Sequence, residues 1–445
     1  MFVYLCHIKN EKGMITKENG LKFAKLIHVS VDNGKTGNSN KVYIMEELTD
    51  GRIKCEYGRV GKDLVTVYKQ SREWSKIYSQ KTSKTKGYTD VTDMIVETVT
   101  TDTSSTTTKK KDVADIKENL VKSVFDDLMA FANKSIQQNY KVTQDAVTQA
   151  QIDAAQEIID KAVKTLKKGS DVKVVNDLLM QLYTVIPRKM SDVRDHIVNS
   201  MATKDDLDIA KELLSNEQDT LDTMAGQVKL LNQQKDSTID NTDDVDSDGE
   251  ITMLDQMGLI VTEEKDSETL KLIHKLLGPN SHQANKILKC INTKTQSAFD
   301  KNIKTAKNKK KRLYWHGSRN ENWFNIIQTG LMIRPSGAIH TGSMFGDGIY
   351  FADKAQKSLG YSSLSGSYWA KGGSNKGYLA LFDVHLGNQK EILHHDSSCY
   401  SLSKAKMDKD GYDSVFAKGG ADLRNNEFIV YDGKQCTIAY IIEMG

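Results

Sequence analysis

Short runs rich in β-branched and aromatic residues open the readable pattern of this chain. Residues 42–45, 53–57 and 64–68 are such runs, each bounded by turn residues, and each reads as a strand. Asp50-Gly51, between the first two, marks a hairpin. Residues 69–80, carrying Trp74, Ile77 and Tyr78, read as a helix packed on that sheet. Further on the period changes. Ile152, Ala155, Ile159, Ala162 and Leu166 recur at spacings of three and four, one apolar stripe on a helix that Gly169-Ser170 ends. Residues 176–185 read as a second helix, closed by Ile186-Pro187. Helical pattern fills 113–235, and by periodicity alone it is a bundle without chemistry.

Near the end, three apolar strand runs each carry a polar side chain. Leu313-Tyr314-Trp315 runs into His316-Gly317-Ser318-Arg319. Phe345-Gly346-Asp347-Gly348-Ile349-Tyr350-Phe351-Ala352-Asp353 and Asn426-Glu427-Phe428-Ile429-Val430-Tyr431 follow. Strands bury such positions, so His316, Tyr350 and Glu427 each need a partner or a function.

Length and charge divide the chain. At 445 residues it exceeds one ordinary core. The net charge of +3 splits into +7 over residues 1–111, −12 over 112–255 and +8 over 256–445. Three modules are expected, with basic surfaces suited to phosphates and an acidic one suited to covering a basic cleft. Thr, Ser and Lys dominate 98–111, a linker composition. No run of about 18 apolar residues is present, so no membrane partner is expected. Residues 1–6 read as a strand rather than a secretory signal, and five scattered cysteines without a CxxC point to a reducing compartment and no structural zinc. Residues 244–255 come close to a calcium loop, with Gly249 and Ile251 in place. Asp255 stands where the loop needs a longer Glu, and the stretch reads as an acidic linker. Residues 301–312 hold seven basic residues and read as an exposed loop before the His316 strand. His394, His395 and Cys399 lie close together without an evident fourth ligand, so no metal is expected. No GxGxxG or P-loop pattern occurs.

The three C-terminal motifs, in this order, resemble the ADP-ribosyltransferase domain of poly(ADP-ribose) polymerases. Upstream, Tyr57-Gly58-Arg59 is similar to the Trp-Gly-Arg motif of the family's DNA-end-binding WGR domain, with Tyr in place of Trp. Gln151-Ile152 with Ala154-Ala155, and residues 182–187, resemble the family's helical regulatory domain. The resemblance implies an α+β multidomain chain: a small antiparallel β WGR-like domain (1–97), a linker (98–111), an all-α helical bundle (112–240) and a mixed α/β ADP-ribosyltransferase domain (241–445). It implies NAD as substrate, with Glu427, His316 and Tyr350 as the catalytic set. Gly317 would clamp the nicotinamide carboxamide through its backbone, and Ser358 would bond the same group. Tyr361 and Tyr350 would sandwich the ring, His316 would donate to the adenosine ribose, and Glu427 would face the nicotinamide ribose. Tyr57 would stack on DNA and Arg59 would reach its backbone.

Asp347 and Lys357 receive no role from the resemblance, nor does Ser318; Ser343 stands where related enzymes often carry a Tyr. The expected protein is a monomer that is switched on by DNA strand breaks and modifies itself and other proteins. It would be nuclear in a eukaryotic host and cytoplasmic otherwise. Two other readings stay open: a DNA-independent mono-ADP-ribosyltransferase, and an inactive DNA-end-binding scaffold.

Overall fold

The computed structural model describes residues 15–16, 20–31, 38–95, 114–140, 147–169, 171–236, 251–333 and 344–445. The expected strand at 1–6, the linker 98–111, most of the acidic stretch 244–255, Ser170 and Ser343 lie outside them. The chain falls into two compact units, Met1–Thr107 with Ile136–Val228, and Thr108–Ser135 with Lys229–Gly445.

The first unit begins with strands β1 (Ile15–Thr16), β2 (Lys22–Ser30), β3 (Ser39–Glu47), β4 (Arg52–Arg59) and β5 (Val65–Gln70). Helix α1 (Trp74–Thr82), strand β6 (Thr89–Asp90) and the single turn α2 (Thr92–Ile95) follow. The strands form one antiparallel sheet in the order β1 to β5, with β6 also on β2. Gly51 makes the expected β3–β4 turn at a φ of +81°. The strand runs two residues further than the pattern indicates, and a short 3₁₀ turn (Ser71–Glu73) delays the helix to Trp74. Trp74 is 1 % exposed and fills the core with Leu26, Met45, Ile53 and Cys55.

Next come α3 (Asn119–Asn139), α4 (Gln149–Lys167), α5 (Val172–Val185) and α6 (Lys204–Asp236); the division between the units falls inside α3 and α6. Thr148 and Gln151 form a capping box that starts α4, and all five stripe residues of that helix are buried. Asp171 caps α5 by accepting from Lys173 N. The sheet and helices of this unit are tied by polar bonds around residues 188–191. Asn40 Nδ2 donates to Arg188 O at 3.1 Å, and Arg59 donates to Met190 O at 3.3 Å and Ser191 O at 2.5 Å. The β-rich front segment and most of the helical segment therefore share one compact body. Inside it, Arg188 and Glu217 form a buried ion pair at 2.9 Å, and Tyr183 Oη donates to His196 O and to Glu217.

The second unit continues with α7 (Met253–Met257), β7 (Leu259–Glu263), α8 (Ser267–Leu277), β8 (Ala284–Asn292), α9 (Thr293–Thr305), β9 (Lys311–Gly317) and α10 (Asn320–Thr329). Then follow β10 (Ile349–Phe351), α11 (Ala355–Leu359), β11 (Gly377–His385), β12 (Gln389–Ile392), α12 (Lys404–Asp410), β13 (Ser414–Ala417), β14 (Glu427–Val430) and β15 (Cys436–Met444). Asp255, the last position of the calcium-like stretch, instead accepts from Thr252 N and Oγ1 and caps α7. The basic run 301–312 is not a single loop, since it ends α9 and begins β9.

Two sheets result. One is antiparallel in the order β7-β8-β15-β11-β9; the other runs β10-β14-β13-β12, with β12 and β13 parallel. The first half of α3 packs here, placing Val121, Val124, Phe125 and Leu128 in the same core as Leu259, Leu288 and Phe382. Lys376 ties Asp127 of α3 to the five-stranded sheet at 2.6 Å and also reaches the buried Glu443 at 3.6 Å.

Arg188→Met strands the Glu217 carboxylate in the first unit's interior. Loss of a buried pair's partner costs about 3–5 kcal/mol, to be read as a lower urea midpoint for the full chain. Lys161→Ala, which removes an exposed pair with Glu157, should shift stability by less than about 1 kcal/mol.

Candidate active site

Strand β9 is the edge of the five-stranded sheet and also the seam to the other. Its inner neighbour is β11, with His316 opposite Ala380 and Gly317 opposite Leu379. On its outer side Trp315 N donates to Ala352 O at 2.8 Å, and Ala352 N donates back to Trp315 O at 3.0 Å. That bridge carries β10, and through β10 the antiparallel partner β14, with Tyr350 opposite Ile429. Three motifs far apart in sequence are thereby brought to one place.

His316 stands among the rings of Trp323, Phe351 and Phe382, at centroid distances of 6.2, 5.9 and 6.0 Å. Its Nδ1 lies 3.0 Å from Tyr350 O. A carbonyl can only accept, so Nδ1 carries a proton, and in the neutral ring Nε2 is then an acceptor. Tyr350 Oη accepts from Phe345 N at 3.0 Å and donates to Gly346 O at 2.9 Å, which fixes the Gly-Asp-Gly loop. Gly346 has a φ of +73°, and a Cβ there would stand 2.0 Å from Leu402 O, so no other residue fits that turn. Burial, reinforced by the Glu427 charge, pushes the Tyr350 phenol well above its ordinary pKa.

Gly317 is required for packing. A Cβ on it would lie 1.9 Å from Ser358 O, so the β9 backbone passes directly against the end of α11. Ser358 is itself buried. One turn on, Tyr361 N donates to Ser358 O at 3.0 Å. Burial and then the Glu427 charge push the Tyr361 phenol up to about 12, so both site tyrosines are neutral at physiological pH. Gly317, Ser358 and Tyr361 thus form one wall.

Glu427 begins β14 and is 9 % exposed. Its Oε1 is ion-paired with the Lys357 ammonium, and both side chains are largely withdrawn from solvent. Its Oε2 is buried and has no hydrogen-bond partner among the described residues. A buried carboxylate oxygen left unsatisfied is costly unless a ligand donor completes it. The strand before it is anchored by Asn426, whose Nδ2 donates to Asp353 Oδ2 at 2.7 Å.

The structure thus assembles His316, Gly317, Tyr350, Ser358, Tyr361 and Glu427 in the second unit. Tyr57 and Arg59 belong to the first. Tyr57 stacks on Tyr43 at 5.4 Å with the rings 15° from parallel. Arg59 additionally donates to Asn38 Oδ1 at 2.8 Å.

Two residues without a sequence-based role belong to the site. Lys357 pairs with Glu427; its place one residue before Ser358 was the only sequence signal. Trp369 stacks on Tyr361 at 6.1 Å and 19°, and its backbone N–H donates to Gly360 O at 2.8 Å. Nothing local to Trp369 in the sequence points to that contact. His395 Nε2 lies 2.8 Å from Met344 O, and its ring meets Phe345 and Tyr400 edge-on, so it braces the loop that leads to Tyr350. Among the described residues no three His, Cys, Asp or Glu groups converge as a metal would require, and no helix is long and apolar enough to cross a membrane.

Comparison with known proteins identifies the domain on which these residues lie. Residues 267–445 match the model of the poly(ADP-ribose) polymerase catalytic domain. A putative poly(ADP-ribose) polymerase-like protein, 100L, of invertebrate iridescent virus 6 is 36 % identical over 154 residues, 34 % of this chain and 80 % of the viral protein. Poly(ADP-ribose) polymerase 2 of Arabidopsis thaliana is 33 % identical over 162 residues, 31 % of this chain and 24 % of its own length. The Drosophila melanogaster poly(ADP-ribose) polymerase is 26 % identical over 363 residues, which cover 74 % of this chain but 34 % of the fly protein. The chain therefore spans most of the viral relative and about a quarter to a third of the two larger ones. With the His-Tyr-Glu constellation assembled on the matched domain, the chain belongs to the poly(ADP-ribose) polymerase family and carries that family's NAD+ ADP-ribosyltransferase domain.

Proposed function

We propose that this protein is a DNA-break-activated ADP-ribosyltransferase that transfers ADP-ribose from NAD to itself and to other proteins, in a response to DNA damage. The observation that carries the catalytic half is the buried, half-satisfied Glu427 carboxylate beside Tyr350 and Tyr361.

In the proposed complex, the Gly317 backbone and Ser358 hold the carboxamide, and Tyr361 supplies a flat, neutral face backed by Trp369. The adenosine ribose hydroxyl donates to His316 Nε2, the reverse of the direction the resemblance implies, because the Tyr350 carbonyl holds the neutral ring's proton on Nδ1. Glu427 Oε2 accepts from a nicotinamide-ribose hydroxyl. The bond between the sugar's anomeric carbon and the pyridinium nitrogen then breaks. Its electron pair leaves with nicotinamide, and positive charge builds on the sugar as in glycoside cleavage. The Glu427 charge, fixed in a water-poor site, opposes that cation. An acceptor nucleophile bonds the same carbon and loses its proton towards the carboxylate. Lys357 is a positioning residue in this scheme, holding the other carboxylate oxygen so that Oε2 points to substrate.

Activation is proposed to couple the basic front of the chain to its acidic helical segment. The charge blocks support it, as does the length of the match to the fly polymerase. So does the anchoring of Asp127, in the acidic block, to the catalytic sheet through Lys376. A helix that packs in the catalytic core can bias a cleft in that core if its own packing has two states. Residence in the nucleus of a eukaryotic host is part of the same proposal. A second reading, DNA-independent addition of single ADP-ribose units, is favoured by the engagement of Arg59 with Met190 and Ser191, and by the covering of Tyr57 by Tyr43.

Glu427→Gln should lower kcat for labelling from radiolabelled NAD by about 10²–10³-fold with little change in circular dichroism; unchanged labelling removes Glu427 from the chemistry. Gly317→Ala, which drives a methyl into Ser358 O, should raise the KM for NAD and lower the melting temperature. Nicked DNA should stimulate the native chain at least about tenfold, a coupling of roughly 1.4 kcal/mol. Tyr57→Ala/Arg59→Ala should lose that stimulation and keep the basal rate. Equal labelling with and without DNA decides for the second reading.

A further inference from the structure

A cavity of about 770 Å³ opens in the catalytic unit away from the NAD cleft. Phe428 lines it, and strand alternation turns the preceding Glu427 to the opposite face of β14. Four properties of its wall act together.

Two cations from the basic run, Lys310 and Arg312, reach it. Lys310 Nζ donates to Gln389 Oε1 at 2.7 Å. The carboxylates of the wall are Asp353 and Glu391; Glu391 is turned to Lys418 at 3.4 Å. The wall is also aromatic. Phe428 is stacked between Tyr314, at 4.1 Å, and Phe416, at 5.0 Å. Finally, two residues of the wall each carry a buried polar atom without a partner among the described residues: the acceptor Asp353 Oδ1 and the donor Gln389 Nε2. The cost of leaving both unsatisfied is removed by a ligand that offers a donor and an acceptor.

We propose that this cavity is a second nucleotide site, taking an adenosine phosphate. A purine carries both an N–H donor and ring-nitrogen acceptors on a flat apolar body, which suits Asp353, Gln389 and the rings. A phosphate suits Lys310 and Arg312. The volume is within the range of small-ligand pockets. The two sources of that chemistry are free adenine nucleotides and ADP-ribose, the group this domain transfers. The site also has a route to catalysis. Asp353 Oδ2 holds Asn426, the residue before Glu427, so a ligand that engages Asp353 Oδ1 acts on the anchor of the catalytic strand.

Isothermal titration of the full chain with ADP-ribose tests this. Two binding events are expected. His316→Ala should remove the one in the NAD cleft. Lys310→Ala/Arg312→Ala should weaken the other at least tenfold and spare the first. Gln389→Ala, at a partly buried position on β12 that leaves β9 intact, gives an independent second variant with the same expected direction. AMP binding as tightly as ADP-ribose assigns the site to adenine nucleotides generally, whereas tenfold tighter ADP-ribose assigns it to the transferred group. A single event abolished by His316→Ala overturns the proposal. So does inorganic phosphate producing the same second event, since that marks a nonspecific anion surface. None of these outcomes depends on DNA activation or on turnover.

Discussion

The pair of backbone hydrogen bonds between Trp315 and Ala352 is the constraint on which the site depends. It joins the edge of one sheet to the edge strand of the other. His316 follows Trp315, Tyr350 lies two residues before Ala352, and β14 brings Glu427 alongside. Residues some 34 to 111 positions apart thereby share a cleft without a loop having to hold them (the span from His316 to Tyr350, and from His316 to Glu427). Catalytic groups on strands are placed more rigidly than groups on loops, and a transition state needs such placement. The close pass of Gly317 against Ser358 belongs to the same constraint, because any side chain there would force the sheet edge and α11 apart.

Burying a carboxylate next to two tyrosines costs free energy that folding alone does not recover. The ion pair with Lys357 offsets part of it and leaves Oε2 available for substrate. Burial first, and then the Glu427 charge, raise the pKa of both tyrosines. A buried charge held by one cation, with one acceptor oxygen left unsatisfied, is the preorganisation on which the proposed stabilisation of a cationic sugar rests.

The first unit follows a different logic. Its deep charge pair, Arg188 with Glu217, is enclosed by Tyr140 and Tyr183, and its sheet is fastened to residues 188–191 by Asn40 and Arg59. Sheet and helices therefore form one body although their sequences differ in period, charge and composition. Linker composition at 98–111 marks where the pattern changes, but not which elements pack together. The first half of α3 illustrates this, since it takes its apolar face to the catalytic core.

Local pattern determined a good deal by itself. The hairpin at Asp50-Gly51, the stripe of α4 and its end, and the strand into His316-Gly317 follow from turn chemistry and periodicity, which act over a few residues. The three residues proposed for catalysis stood out in the sequence because each breaks an apolar run within a specific motif. Lys357 and Trp369 were not, because their meaning comes from partners on other elements, Glu427 seventy residues on and a ring brought back by a turn. The second cavity was equally hidden, its wall being drawn from β9, β12, β13 and β14 together. Which side chain becomes buried beside which is decided by the packing of sheets and helices, and that free energy is not a property of any one stretch of chain.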